Sequence, residues 1–273
     1  MQRASTKTPG LPGLDELGRD LLATTPRQRC ISFLRPCAGL AAYSVAATLR
    51  LWWLTPFLVF LVFVAVVTVT HDVVHGCLGL NRRQTEWALF CCGAFLLESG
   101  HAYRSTHLQH HRLFPHGDDP VGDPARMSLW RAICIGPAFL PRLWIWAFRQ
   151  NRNRPDQRRW LLAEAAFALA AALAGLLLWR ACPAILLYVA MVVAGSWVYP
   201  LLTVHLPHRN FGDSPLTQTH TLRGRFIPAL FLELTYHLEH HLYPQVPSHH
   251  LAELSRRLDP VFARAGVRPR HVP

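Results

Sequence analysis

The sequence predicts an all-α integral membrane protein with four transmembrane helices arranged as two hairpins. Of its 273 residues, 51% are hydrophobic and only 16% are charged. The hydrophobic residues come in long runs rather than at amphipathic spacing, and four of the runs approach the length of about 20 residues that crosses a bilayer. Three short histidine-rich stretches lie just after or between these runs.

The first hairpin consists of an apolar segment from Ile31 to Leu49 and an uncharged segment from Pro56 to Thr70. The second segment is slightly short of a full span, but it can continue through His75 into water. Between the two segments, Arg50 and the Trp pair that follows it are typical of a turn at the membrane–water boundary, where Trp lies at headgroup level.

The region after the first hairpin is predicted to lie at the membrane surface. Asn81–Glu86 is expected to be a polar turn, and the eleven apolar residues Trp87–Leu97 are too short to span, so they are expected to be re-entrant or interfacial. From Ser128 to Phe148, apolar residues alternate with Arg and Trp. That pattern predicts one amphipathic helix lying in the interface.

Trp160–Trp179 and Cys182–Val204 have spanning length and form the second predicted hairpin, with a turn at Arg180. Glu164 lies one turn inside the first of these helices. An acid within a membrane span is a functional candidate. Its closeness to the helix end instead favours a side chain that reaches back to water.

Three segments follow from this assignment. Residues 1–30 are polar and punctuated by Pro and Gly, which predicts a loose or interfacial lead-in on the cytoplasmic side; they do not form a signal peptide. Residues 31–250 form the membrane domain. Residues 251–273 form a basic C-terminal tail without a span.

The formal net charge is +12, from 28 basic and 16 acidic residues. A basic balance suits nucleic acid or a membrane surface. The apolar runs favour the membrane, and the dispersal of the positive charge between spans argues against nucleic acid. If only the turns at Arg50 and Arg180 are outside, every other basic residue lies on one face. This asymmetry predicts a multi-pass inner or cell membrane protein with both termini and all three histidine stretches on the cytoplasmic face.

The histidine stretches, hereafter the first, second and third boxes, are predicted metal-binding elements. Histidines at i, i+3 and i+4 share one helix face, and imidazole suits zinc, copper, iron or nickel. A closed zinc site takes four ligands, so eight donors are too many for one ion and fit two. We therefore expect a cytoplasmic helical cap that holds a di-metal site. The eight box histidines are His71 and His75, then His107, His110 and His111, then His237, His240 and His241.

Two different roles for the histidines remain open. A purely structural role would require eight clustered ionisable groups to be satisfied by packing near a bilayer, although the whole chain has only sixteen His. A membrane metal transporter or metal sensor would also collect histidines. Its ligands are expected near mid-membrane on broken helices, whereas these boxes lie at helix ends.

The ordered motifs H-D-x-x-H, H-x-x-H-H and H-x-x-H-H, with two membrane hairpins between and around them, resemble the histidine-box fatty acyl desaturase and hydroxylase superfamily. The resemblance covers about residues 35–250, and the segment Leu242–Pro247 after the third box is similar to a desaturase pattern. It implies two non-haem Fe2+ ions held by histidine, with O2 as co-substrate. It also implies a lipid substrate that enters from the bilayer.

The chain also resembles the carotenoid β-ring ketolases of that superfamily. Leu206–Arg209 is like their L-P-H-R element, Asp118–Pro120 is like the acidic loop after their second box, and the length suits them. Its third box departs from theirs, which carries further aromatic residues. The resemblance implies one more ligand after the second hairpin. His208 fits by the L-P-H-R match, and His205 is the other candidate.

The predicted function is therefore O2-dependent oxidation of lipid C–H bonds, by a fatty acyl-lipid desaturase first and a carotenoid β-ring ketolase or hydroxylase as the alternative. Both reactions need electrons from outside the chain. The tails contain neither G-x-G-x-x-G nor a haem-binding His-Pro-Gly-Gly. A separate electron donor such as ferredoxin is implied.

Four acids are candidates to accept the second N–H of ligating imidazoles and so fix their orientation. Asp72 and Glu239 lie inside boxes, and Asp118 and Asp119 lie in the loop after the second box. The histidines outside the boxes are expected at the surface or behind the ligands. They are His101, His116, His220, His249 and His250.

Overall fold

A computed structural model describes residues 10–273, so the first nine residues of the predicted lead-in lie outside the described residues. The helices in this part of the chain are α1 Leu14–Leu17, α2 Pro26–Thr48, α3 Thr55–Val74, α4 Arg82–Leu96, α5 Gly100–Leu113, α6 Leu129–Cys134, α7 Gly136–Gln150, α8 Pro155–Leu177, α9 Pro183–Ser196, α10 Leu206–His208, α11 Phe226–Leu230, α12 His237–Leu242, α13 Leu251–Arg257 and α14 Asp259–Ala265. The strands β1 Leu222–Arg223 and β2 Arg270–His271 pair in parallel.

The mostly helical fold and its four candidate spans are as the sequence predicts. Within the described residues, four helical stretches are long and apolar enough to cross a membrane. They are α2, α3, α8 and the stretch Pro183–His208. The described chain divides into two compact units. The central unit comprises Thr24–Asn210, and the terminal unit combines the residues up to Ala23 with Phe211–Pro273.

The first hairpin begins earlier than predicted. The Thr25 hydroxyl accepts from the Gln28 backbone N–H at 3.2 Å, and the Gln28 side chain accepts from the Thr25 N–H at 2.8 Å. This capping box, with Pro26 at the first helical position, starts α2 within the segment expected to be a lead-in. Most of α3 is buried against its neighbours, so this helix is the centre of the unit.

The predicted polar turn at Asn81–Glu86 is wrong. Asn81 caps α4: its side chain accepts from the Gln84 N–H, and Gln84 accepts from the Asn81 N–H, both at 2.9 Å. The polar residues therefore form the first turn of a helix rather than a connection. With 15 residues, α4 is too short to span, as expected.

The single amphipathic helix predicted over Ser128–Phe148 is also wrong, because the structure breaks it at Ile135 into α6 and α7. Pro137 lacks the N–H that would continue the first helix and is favoured at the start of the next. Gly136 lies so close to the second hairpin that a Cβ there would be 2.0 Å from the carbonyl oxygen of Trp197.

In the second hairpin, α8 packs against α9, and the chain continues through a π-helix at Leu201–His205 into α10. The helical stretch therefore ends at His208 rather than at Val204. Short π-helical segments are often found at functional sites. Here the segment carries His205, and α10 carries His208.

The terminal unit has its own core, in which Leu238, Leu251 and Leu254 are fully buried. Leu21 from the described part of the lead-in packs into the same core. The Arg257 guanidinium donates to the Leu17 carbonyl at 2.6 Å. Residues 14–22 are thus folded rather than loose, and the basic tail forms α13, α14 and β2.

Replacing Gly100 by Ala tests the contact of α5 with α4. A Cβ at Gly100 would lie 2.3 Å from the Leu89 carbonyl oxygen, and a backbone atom cannot rotate away. We expect a loss of about 1–3 kcal/mol from overpacking, seen as a lower melting temperature of the solubilised protein. Gly117→Ala is the control, since its Cβ would meet no atom within 4 Å. Equal melting temperatures for both variants would contradict the close approach.

Candidate metal centre

The first box ends α3, and the second box lies on α5 beside it. His71 and His75 are one helical turn apart, so both rings face the same side. The ligand atoms offered by His71, His75 and His107 lie within 4.8 Å of one another. Their ring centroids are 5.0–5.1 Å apart.

The spacing of the ring nitrogens suits a shared cation. The Nε2 atom of His107 lies 3.0 Å from Nε2 of His75 and 3.2 Å from Nε2 of His111. A ring nitrogen carries either one proton or one lone pair, so it cannot form a good hydrogen bond with both neighbours. Two nitrogens bound at right angles to one metal ion, each at about 2.1 Å, are about 3 Å apart.

A second pair of rings meets where α5 approaches α10. Nε2 of His110 is 3.1 Å from Nε2 of His208, and both side chains are buried. His110 donates through Nδ1–H to Asp119 at 2.6 Å, and Asp119 also accepts the Val121 N–H at 2.9 Å. This arrangement leaves the Nε2 lone pair of His110 directed at His208.

Of the two candidates after the second hairpin, His208 is the one placed against a box histidine. His205 donates through Nδ1–H to the Pro124 carbonyl at 2.9 Å. That bond holds the π-helical segment to the loop after the second box.

Among the four candidate acids, Asp119 accepts a hydrogen bond from a box histidine. The other three have different surroundings. The Asp72 carboxylate is 3.6 Å from Nδ1 of His71, too far for a hydrogen bond. Glu239 accepts from the Thr221 hydroxyl at 2.9 Å and from the Ser255 hydroxyl. Asp118 is exposed.

The third box lies on α12 in the terminal unit. The ring centroids of His237 and His241 are 4.7 Å apart, and that of His240 lies 5.8 Å from His241. The bond from Ser255 to Glu239 ties α12 to α13. All three rings are thus grouped on one short, anchored helix.

Burial keeps the imidazoles in the form that binds metal. Removal from water lowers the pKa of His75 well below its ordinary value, and the neighbouring His71 lowers it further. Burial likewise lowers the pKa of His107, followed by the effect of His111 and the other nearby rings. Both rings are therefore neutral at physiological pH and offer lone pairs.

The expectation that the Glu164 side chain reaches back to water is wrong, since Glu164 is only 3% exposed. His101 is only 1% exposed, so it does not lie at the surface. Nδ1 of His101 contacts Glu164 at 2.7 Å, and the Ser99 hydroxyl donates to the same carboxylate. No local spacing pairs His101 with Glu164, because they are 63 positions apart.

The other histidines outside the boxes are at or near the surface. His116 is exposed, and His220 and His249 are half-buried. Nδ1 of His250 donates to the Leu21 carbonyl at 3.0 Å, a contact that holds the described lead-in within the terminal unit.

Comparison with known proteins places most of the chain in one family model. Residues 47–273 match the model described as fatty acid desaturase. Over 275 aligned residues, the chain is 26% identical to the dihydrorhizobitoxine desaturase of Bradyrhizobium elkanii, covering 84% of this chain and 75% of that protein. Over 213 aligned residues it is 27% identical to the beta-carotene ketolase of a Paracoccus species, covering 75% of this chain and 76% of the ketolase.

Asp119→Asn tests the orienting hydrogen bond. The amide can present its NH2 group to Nδ1 and so favour the wrong tautomer of His110. We expect affinity for Fe2+ to fall about 10–100-fold, measured by titration of metal-stripped protein. The neighbouring exposed acid supplies the control, and Asp118→Asn should bind like the wild type. If both variants bind Fe2+ as tightly as the wild type, Asp119 does not orient a metal ligand.

Proposed function

This chain belongs to the fatty acid desaturase family, and we propose that it is a membrane di-iron enzyme that uses O2 to oxidise C–H bonds of a lipid. A fatty acyl-lipid desaturase is the form that we favour. The observation that carries the proposal is the meeting of imidazoles from α3 and α5, where Nε2 of His107 lies 3.0 Å from Nε2 of His75 and 3.2 Å from Nε2 of His111.

The donor set fits two iron ions. Iron accepts imidazole ligands, and the central unit supplies them in two groups, one around His107 and one at His110 and His208. We propose that the third box completes the shells of both ions, which gives nine ligands. These are His71, His75, His107, His110, His111, His208, His237, His240 and His241.

The residues of this chain would hold, orient and shield the ions. When bound, the two Fe2+ ions would supply the reduction of O2 and the removal of hydrogen from an unactivated carbon. Asp119 fixes the tautomer of His110 through its 2.6 Å hydrogen bond. Burial of His71, His107 and His208 excludes water from the ligand atoms.

Desaturation and oxygen insertion have the same demand for electrons. Forming a C=C bond from two C–H bonds consumes one O2, two electrons and two protons and releases two waters. Hydroxylation consumes the same reactants and releases one water. We propose that a separate donor such as ferredoxin supplies the electrons at the cytoplasmic face. Apart from Arg50 and Arg180, the predicted topology places the basic residues on that face.

The carotenoid alternative rests on its own observation. His208, the histidine of the L-P-H-R element, lies against His110, and one relative is a beta-carotene ketolase. The acyl-lipid assignment rests on the segment after the third box, and another relative is a desaturase.

Replacing single box histidines tests the ligand set. His107→Ala, His110→Ala and His240→Ala should each lose bound iron and lower O2 consumption below detection, since an imidazole donor is removed from a shell. Iron is measured per chain and turnover by lipid-dependent O2 uptake. His116→Ala removes an exposed histidine outside the boxes and should retain both. Full iron content and activity in a box variant would show that the replaced histidine is not an iron ligand.

Expression in two hosts separates the substrate classes. One host makes β-carotene, and the other has a defined acyl-lipid profile. A new double bond or hydroxyl in the acyl chains would support the favoured assignment, whereas a new pigment would support the ketolase. Metal uptake without O2 consumption in either host would indicate a transporter and contradict both.

A further inference from the structure

A buried chain of polar side chains links three helices of the central unit beside the second box. His101 on α5 lies between two carboxylates. Its Nε2 is 2.9 Å from Glu86 on α4, and its Nδ1 is 2.7 Å from Glu164 on α8. The Ser99 hydroxyl donates to the other oxygen of Glu164. The metal centre as proposed uses none of these four residues.

The outer end of this chain reaches the surface. The Glu86 side chain is 14% exposed, and Arg104 donates to both of its oxygens at 3.0 and 3.1 Å. Burial alone would raise the pKa of Glu86, but the bonds from Arg104 and the proximity of His101 outweigh it and leave that pKa lowered. Glu86 is therefore ionised, and its carboxylate joins His101 to the water-exposed end of the chain of side chains.

The inner end opens on a small cavity. Ser99 and Glu98 line a space of about 30 Å3, together with Thr70, Tyr103 and Tyr199. A polar cavity needs only about 10–15 Å3 to hold a water molecule with two or more polar partners. The volume fits one water molecule beside Thr70, Glu98 and Ser99, which are the polar part of a lining that also includes Val66, Val67 and Leu96.

The cavity lies directly behind the first two boxes. The Tyr103 ring stacks on the His107 ring, with centroids 4.8 Å apart and an interplanar angle of 13°. Thr70, on the opposite helix, immediately precedes His71. A proton that reaches the cavity is thus beside the group of imidazoles around His107, with Tyr103 against one ring of that group and Thr70 next to another in the chain.

We propose that Glu86, His101, Glu164 and Ser99 form a proton path that delivers the protons consumed in O2 reduction to this cavity. The proposal rests on the proposed function, because that reaction takes two protons from water with two electrons from the external donor for each C=C bond formed. In each transfer His101 accepts a proton at Nε2 and releases one from Nδ1 to Glu164. The carboxylic acid then passes its proton to the Ser99 hydroxyl or to cavity water.

Glu98 supplies a signal for proton transfer that does not depend on turnover. Burial raises the pKa of Glu98 to about 8, so its carboxyl is protonated at pH 6. Its C=O stretch shifts in the infrared when the proton is replaced by deuterium. The band is assigned by its loss in Glu98→Gln.

The experiment transfers the full-length protein, solubilised in an ester-free detergent, into D2O at pH 6 without lipid or electron donor. Glu164→Gln keeps the side-chain shape but cannot accept the proton from His101. We expect it to slow deuterium uptake at Glu98 by at least about tenfold, with iron content unchanged. Ser105→Ala is the control, since its hydroxyl bonds the His101 carbonyl outside the path, and it should exchange like the wild type.

A purely structural role makes a different prediction. If the cluster only holds α5 to α4 and α8, Glu164→Gln will lose stability or iron and exchange Glu98 as fast as the wild type, which would overturn the proposal. If this variant does not fold, Glu86→Gln at the partly exposed end replaces it, with the same expected slowing.

Rescue of activity by a small acid distinguishes a failure of the proton path from a failure of the proposed function. With lipid and donor present, formate, which is small and permeant, should restore O2 uptake in the slowed variant. Failure of that rescue would also contradict the path. A wild type that takes up no O2 would refute the proposed function instead, and the exchange result would still stand.

Discussion

Imidazole nitrogens from α3 and α5 face one another about one hydrogen-bond length apart, and the packing of the central unit holds them there. Nε2 of His107 has neighbours at 3.0 and 3.2 Å. One nitrogen cannot bond both neighbours through a single proton or lone pair. A metal ion bound between the rings would satisfy all three nitrogens. Burial contributes by holding the rings neutral, because a buried imidazolium loses its hydration.

The scaffold places these rings through contacts that are distant in sequence. α5 begins at Gly100, where its backbone touches α4 closely, and His101 fastens the same end of α5 to Glu164 of α8. At the other end, Asp119 holds His110, and the π-helical segment brings His208 to it. The second box is therefore fixed at both ends of its helix. In a lipid environment a buried carboxyl group such as that of Glu164 is tolerable only when its oxygens have hydrogen-bond partners, and here these are His101 and Ser99.

Local patterns in the sequence predict most of the fold and identify the histidines that the structure groups together. Hydrophobic runs define the spans, and the i, i+3, i+4 spacing puts box histidines on one helix face. The sequence-based predictions that are wrong concern segments whose local pattern is compatible with two structures. Asn81 and its neighbours are equally polar in a turn and in a capping box, and the apolar alternation over Ser128–Phe148 does not reveal that Pro137 starts a new helix. Asp119, His101 and Glu164 acquire their roles from tertiary contacts that no spacing encodes, although the L-P-H-R resemblance did favour His208.

Metal analysis of the wild-type protein decides whether these histidines hold two iron ions. Iron is counted per chain in protein purified from membranes, and X-ray absorption at the iron edge identifies the ligand atoms. We expect two irons per chain, each surrounded by nitrogen and oxygen ligands with a dominant imidazole signal. One iron or none after reconstitution, or a shell without imidazole, would contradict a histidine-bound di-iron centre.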